Sequence, residues 1–154
     1  MKNLRLRLFA LLSLALFLAG CTTGAKPGGI TVTAISLQVP AAAGDLRAPL
    51  MLHFANENIV PLGYSSSTHK LYLNGTYVGK VVNDQPIGLP PMNDANREVY
   101  LQIENDAFVR QLASGGSHPV RYRIETVLRQ TVVDDRLQIK TTSEGSLELR
   151  TGAN

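Results

Sequence analysis

The chain holds a single cysteine, Cys21, so no disulfide can form within it and the fold must stand on packing alone. The apolar run from Leu8 to Leu18 is too short for the 20 or so apolar residues that a membrane-spanning helix requires. Net charge is lacking as well, once the N-terminal segment is set aside. Residues 1–20 carry Lys2, Arg5 and Arg7 and no acid, and the remainder balances 12 basic against 12 acidic residues. A neutral chain excludes the electrostatic argument for nucleic-acid binding, which needs many phosphate-neutralising cations. None of His53, His69 and His118 lies three or four residues from another histidine or from Cys21, so zinc-type ligand spacing is absent. There is no Gly-x-Ser-x-Gly nucleophile elbow and no glycine-rich phosphate loop leading into a helix. Adjacent Asp134 and Asp135 read as a solvated turn rather than paired catalytic carboxylates, because neighbouring residues on a strand point apart. These absences predict a protein that is not an enzyme and binds neither metal nor cofactor.

What is present begins at the N-terminus. Lys2, Arg5 and Arg7 form a positive region, Leu8 to Leu18 an apolar run, and Ala19-Gly20 a small-residue approach to Cys21. Leu18-Ala19-Gly20-Cys21 reads as a lipobox, with signal-peptidase cleavage between Gly20 and Cys21 and lipidation of Cys21. Residues 1–20 are then a lipoprotein signal peptide, and Cys21 is the point of membrane attachment. Thr22, rather than aspartate, after the cysteine fits the outer-membrane habit of Gram-negative lipoproteins, facing the periplasm. Residues 21–29 read as the lipidated cysteine and a flexible tether, spanning roughly 15 Å as a random coil.

From Ile30 to about residue 150 the chain alternates apolar and polar residues in short runs, the mark of half-buried strands. Ile30, Val32 and Ala34 share one phase, and Ile35, Leu37 and Val39 the other, which predicts a β-bulge at Ala34-Ile35. Leu50, Leu52 and Phe54 mark a second strand, with His53 on its other face. Leu71 and Leu73 precede Asn74-Gly75, a type I′ hairpin signal, and Tyr77, Gly79 and Val81 follow it. Asn74-Gly75-Thr76 also fits a glycosylation acceptor, but in this setting it reads as the turn alone. Val99, Leu101 and Ile103 form another strand. A helix of about two turns follows, capped by Asn105 or Asp106, carrying Phe108, Val109 and Leu112 and stopped at Gly115-Gly116. Val120, Tyr122, Ile124, Thr126 and Leu128 alternate along a long strand, and Leu137 with Ile139 and Leu147 with Leu149 mark two more. About seven or eight strands with one short helix predict an all-β, single-domain β-sandwich.

The order of motifs resembles the late-embryogenesis-abundant type 2 family, also called the water stress and hypersensitive response (WHy) domain. The residues that carry it are Asn56-Glu57-Asn58, Val60-Pro61-Leu62, Lys70-Leu71-Tyr72-Leu73-Asn74-Gly75, Gly79, Ile87-Gly88-Leu89-Pro90-Pro91 and Arg97-Glu98-Val99-Tyr100-Leu101. The family's Asn-Pro-Asn appears here with Glu57 in the middle. The resemblance implies a fibronectin-III/immunoglobulin-like sandwich and a role in desiccation, water stress or envelope stress. Asn56, Asn58, Asn74 and Gly75 are read as turn residues of the family motif, with Asn side chains bonding local backbone. Composition agrees with a packed domain: 44% of residues are hydrophobic and 18% charged, against the low hydrophobicity of a disordered protectant.

The expected function is a lipid-anchored, non-enzymatic envelope protein that binds or protects other components under stress, with envelope proteins or lipid headgroups as partners and no nucleic acid. The alternative is an envelope adaptor that pairs an exposed strand edge with a protein partner. Arg121, Arg123 and Arg129 share one strand face with Glu125 and form a candidate contact surface for headgroups or an acidic partner. A ligand-binding or hydrolase reading requires a deep pocket around Tyr64, Tyr72 or Tyr100.

Overall fold

The computed structural model describes residues 29–42, 44–115, 119–132 and 135–151. Lipobox residues Gly20 and Cys21, the tether before Gly29, Gly116, His118 and Asp134 lie outside the described residues. The strands are β1 (Ile30–Val39), β2 (Arg47–Asn56), β3 (Leu62–Tyr64), β4 (Ser66–Leu73), β5 (Thr76–Asn83), β6 (Ile87–Leu89), β7 (Asn93–Ile103), β8 (Pro119–Val132) and β9 (Asp135–Thr151). Among the described residues one helix, α1 (Asp106–Ser114), follows β7.

The mainly-β content with one short helix matches the sequence expectation, but the architecture differs from an open sandwich. Seven strands close into a barrel in the order β1-β2-β7-β5-β4-β8-β9, and β3 and β6 form a separate ribbon. Closure depends on two narrow seams. At one, Ser36–Val39 of β1 pair in parallel with Glu148–Thr151 of β9. At the other, only Gly79 and Lys80 of β5 pair, with Ile103 and Gln102 of β7. Alternation along a strand reports which face is buried and says nothing about which backbone edges meet, so the closure left no mark in the pattern.

The core phase follows the strands closely. Leu50, Leu52 and Phe54 point inward from β2, and Val120, Tyr122, Ile124, Thr126 and Leu128 from β8, all buried. The β1 register shifts between Ala34 and Ser36, where a bulge was expected. Ile35 is the residue the bulge turns outward, so the second apolar phase begins at Leu37 rather than at Ile35. A second shift, opposite Leu71/Tyr72, skips Val78 in the pairing. It corrects the phase of β5: Tyr77 lies on the outer side, while Val78 and Val81 are buried. Asn74 at φ 48° and Gly75 at φ 83° make the intervening turn in the left-handed region.

Leu137/Ile139 and Leu147/Leu149 belong to one 17-residue strand rather than two, paired with β8 without interruption from Glu148 to Asp135. Leu137 is exposed, because beyond the last β4–β8 pair, Ser66 with Arg129, β8 and β9 pair only with each other. The β3–β6 ribbon, too short to show alternation, contributes Tyr64, Ile87 and Leu89 to the core at the Asn56 end of the barrel. At the other end sits α1. Asn105 caps it by accepting from Phe108 N–H (3.4 Å), Val109 is fully buried, and Phe108, Leu112 and Ala113 pack against the core. Arg110 ties the helix down, donating to Asp106 Oδ2 (2.9 Å) and to the Pro40 carbonyl (3.0 Å).

Candidate functional site

The densest polar construction outside the strand ladders is a knot centred on Asn56, the last residue of β2 and only 2% exposed. Its Nδ2 donates to the carbonyls of Pro90 (2.9 Å), Val60 (3.1 Å) and Leu89 (3.3 Å). Its Oδ1 accepts from Asn58 N–H (3.0 Å) and from Asn58 Nδ2 (2.9 Å). Asn58 Nδ2 also reaches the Gly29 carbonyl (3.3 Å), which accepts from Glu57 N–H at 2.7 Å, and the Asn58 carbonyl accepts from Met92 N–H at 2.9 Å. Three chain segments, at residues 29, 56–60 and 89–92, are thereby clasped by one side chain and its neighbour. An amide suits the position because it offers donor and acceptor together. Glu57, where the family pattern has proline, is exposed and donates its backbone N–H to the Gly29 carbonyl.

A second buried polar cluster, which carries no ligand spacing, lies between β4 and β8. His69 is fully buried, its Nδ1 2.8 Å from Thr126 Oγ1 and its Nε2 3.0 Å from Ser67 Oγ, with its ring edge-on to Phe54 at 5.8 Å. The signal was available: counting back by twos from Leu73 and Leu71 puts His69 and Ser67 on the inward face of β4. Burial lowers the imidazole pKa from 6.5 to about 4. The folded barrel therefore holds this ring neutral where the unfolded chain protonates it. Its contribution is complete above pH 6.5, is lost as pH falls, and stops changing below about 4. We expect a loss on the order of 3 kcal/mol across that window. Urea midpoints of the native chain and of His69→Gln, compared from pH 7 to pH 4, check it: the two should converge as pH falls.

On the outer face of β8 the three arginines do not act as a set. Arg123 stacks over the Tyr72 ring (4.1 Å to its centroid) and pairs with Glu125 (3.1 Å), which also accepts from Tyr72 O–H at 3.3 Å. Arg129 donates to Thr68 Oγ1 (3.2 Å), and Arg121 is exposed beside Glu144 and Ser146. Glu125 thus engages the central cation of the stripe.

The three tyrosines do not converge on one pocket. Tyr100 lines an open cleft of about 440 Å³ between β5 and β7, with Arg47 over its ring at 4.3 Å. Tyr72 lies against Tyr77 on the outer side of the hairpin. Tyr64 is in the core, its hydroxyl without a hydrogen-bond partner among the described residues, and burial raises its pKa. His53 lies at the surface, its Nδ1 2.9 Å from Asn96 Oδ1 and 3.6 Å from Asp94 Oδ2. Among the described residues no three His, Cys, Asp or Glu side chains gather as a metal site. No described helix is long and apolar enough to cross a membrane.

Comparison with known proteins bears on the family and the fold. Residues 52–150 match the model of a family described as late embryogenesis abundant protein, LEA_2. No curated protein matches the chain in sequence. Among solved structures, one of a protein from Arabidopsis thaliana is similar over 84% of this chain and 85% of its own, at 15% identity and a TM-score of 0.51. A protein from Archaeoglobus fulgidus aligns over 77% and 94% (15% identity, TM-score 0.44). A structure with a provisional late-embryogenesis-abundant name aligns over 97% and 87% (12% identity, TM-score 0.45). The Arabidopsis likeness shows a shared fold.

Proposed function

The chain belongs to the late embryogenesis abundant LEA_2 family, which is associated with stress protection and generally non-enzymatic, and from that premise we propose a lipid-anchored envelope protein that binds and shields other envelope components as water is lost. The observation that carries the reading is the family match across residues 52–150, on a chain whose N-terminus bears the lipobox ending in Cys21. The anchor would hold the barrel at an outer membrane, facing the periplasm. Function would then reside in surfaces rather than in a reaction centre. Arg121 and Arg129 are the exposed cations on the β8 face for headgroups or an acidic client.

One feature favours the adaptor as a second reading. From Asp135 to Leu147, β9 pairs with β8 alone among the described residues, with no proline, no register shift and Lys140 as its one lysine. Such an edge offers unpaired backbone groups to an incoming strand.

Crosslinking in cells, comparing hydrated with dried envelopes and using Cys21→Ser as the control, separates the two. The protective reading expects many partners, captured more strongly after drying and only from the Cys21 form. One stoichiometric partner, captured equally in both states, would replace it with the adaptor.

A further inference from the structure

We infer that the loop tips carrying Ile59, Val60 and Met92 are a bilayer-contact surface, seated in the interface of the membrane to which the chain is tethered. The inference rests on the proposed lipidation of Cys21. Exposed apolar residues scattered singly over a barrel wall are ordinary. These three are not scattered. Ile59 is 85% exposed, Met92 69% and Val60 52%, and they occupy two adjoining loops in which Pro61, Pro90 and Pro91 are exposed as well. The pairing of Leu62 with Leu89 brings the loops together, and Asn56 Nδ2 holds the Val60 and Pro90 carbonyls at once.

The loops are built to present these side chains rather than to bury them. Met92 sits at φ 48°, a left-handed conformation that costs an L-residue energy, and its N–H is held by the Asn58 carbonyl. The Met92 side chain is thus presented outward from a strained backbone.

The tether identifies the occupant of this surface. The Gly29 carbonyl accepts from Glu57 N–H and Asn58 Nδ2, so the chain enters the domain beside these loops. The eight residues from Cys21 to Gly28 span at most about 28 Å however they are arranged. An acyl group on Cys21 would therefore keep this end of the barrel within about 28 Å of the membrane, while the α1 end lies a full strand further, about 30 Å along β2. Glu57 and Asp94, both exposed at the rim, argue against attraction to anionic headgroups. Contact by apolar insertion remains, and it supplies the second membrane signal that adds to an acyl chain.

The chain contains no tryptophan, so one introduced residue is an unambiguous reporter. Full-length lipidated protein carrying Ile59→Trp is reconstituted in phosphatidylethanolamine/phosphatidylglycerol vesicles, with and without bromine on the acyl chains. Val60→Trp serves as a second reporter, and Leu46→Trp, exposed just before β2, as the reference at the far end. The mass of the Cys21 peptide is read from the same samples. The expected result is an acylated chain in which both loop reporters are blue-shifted and quenched severalfold more than Leu46→Trp, with little effect of salt. Equal quenching at both ends of an acylated chain would overturn the inference and leave the anchor standing. A blue shift that follows protein concentration without bromine quenching would overturn it in favour of a second copy. An unmodified Cys21 would remove the anchor and this surface with it.

Discussion

Asn56→Ala is expected to destabilise the barrel by about 3 kcal/mol, lowering the melting temperature by on the order of 10 °C. Asn56 is buried, and its amide satisfies the carbonyls of Val60, Leu89 and Pro90 while accepting two bonds from Asn58. Alanine leaves those carbonyls and donors without that partner in a site too tight for easy repair. Each buried polar group so stranded costs about 1–3 kcal/mol, and solvent reaching the loop recovers part of it. Asn56→Asp keeps the acceptor for Asn58 but turns a carboxylate oxygen toward three carbonyls, so it should be no better. Asn58→Ala removes the shell of the knot and not its centre, and should cost less, about 1 kcal/mol. Thermal and urea unfolding check the series. A loss below about 1 kcal/mol for Asn56→Ala would mean that the three segments are held by something else.

Gly79→Ala is the second large effect, expected at about 3 kcal/mol with loss of protection at the β5–β7 seam. Gly79 pairs with Ile103 at one of the two narrow closures of the barrel. A methyl group there would run into the Gln102 carbonyl and lie 3.1 Å from Ile103 Cα. Both neighbours are backbone atoms of a paired strand, so neither can swing aside. Accommodation requires β5 to move off β7, widening the cleft already present beside Tyr100. Gly63→Ala and Gly88→Ala are the internal controls, since a methyl at either meets nothing within 4 Å. Both should stay within about 0.5 kcal/mol of the native chain or gain slightly through the unfolded state. Hydrogen exchange should show faster opening at residues 79–80 and 102–103 in Gly79→Ala and in neither control.

Much of the fold was legible because half-buried strands announce their inward face. The runs through Phe54 and through Leu128, the bulge after Ala34 and the Asn105 cap all follow from local patterns. Part of what stayed hidden turns on chain separation. β1 meets β9 across more than a hundred residues through backbone groups that carry no side-chain signature. Asn56 is a turn residue by its chemistry, but its partners Leu89 and Pro90 lie 33 and 34 residues on, so local turn geometry understated it. His69 has no ligand spacing to mark it, and its partners come from its own strand and from β8. The β8 arginines lie on the outer face as their alternation implied, yet the pairing of Arg123 with Glu125 is a matter of rotamers.

Anchor, knot and barrel make one account. On the proposed reading Cys21 would place the chain at a membrane, while Glu57 N–H and Asn58 Nδ2 tie Gly29 to the loops that Asn56 holds together. The most direct test is survival of drying and rewetting by a deletion strain complemented with the native chain or with Cys21→Ser at matched abundance. The account predicts that deletion lowers survival, that the native chain restores it, and that Cys21→Ser, released from the membrane fraction, does not. Survival of the deletion strain equal to that of its parent, or full rescue by Cys21→Ser, would contradict it.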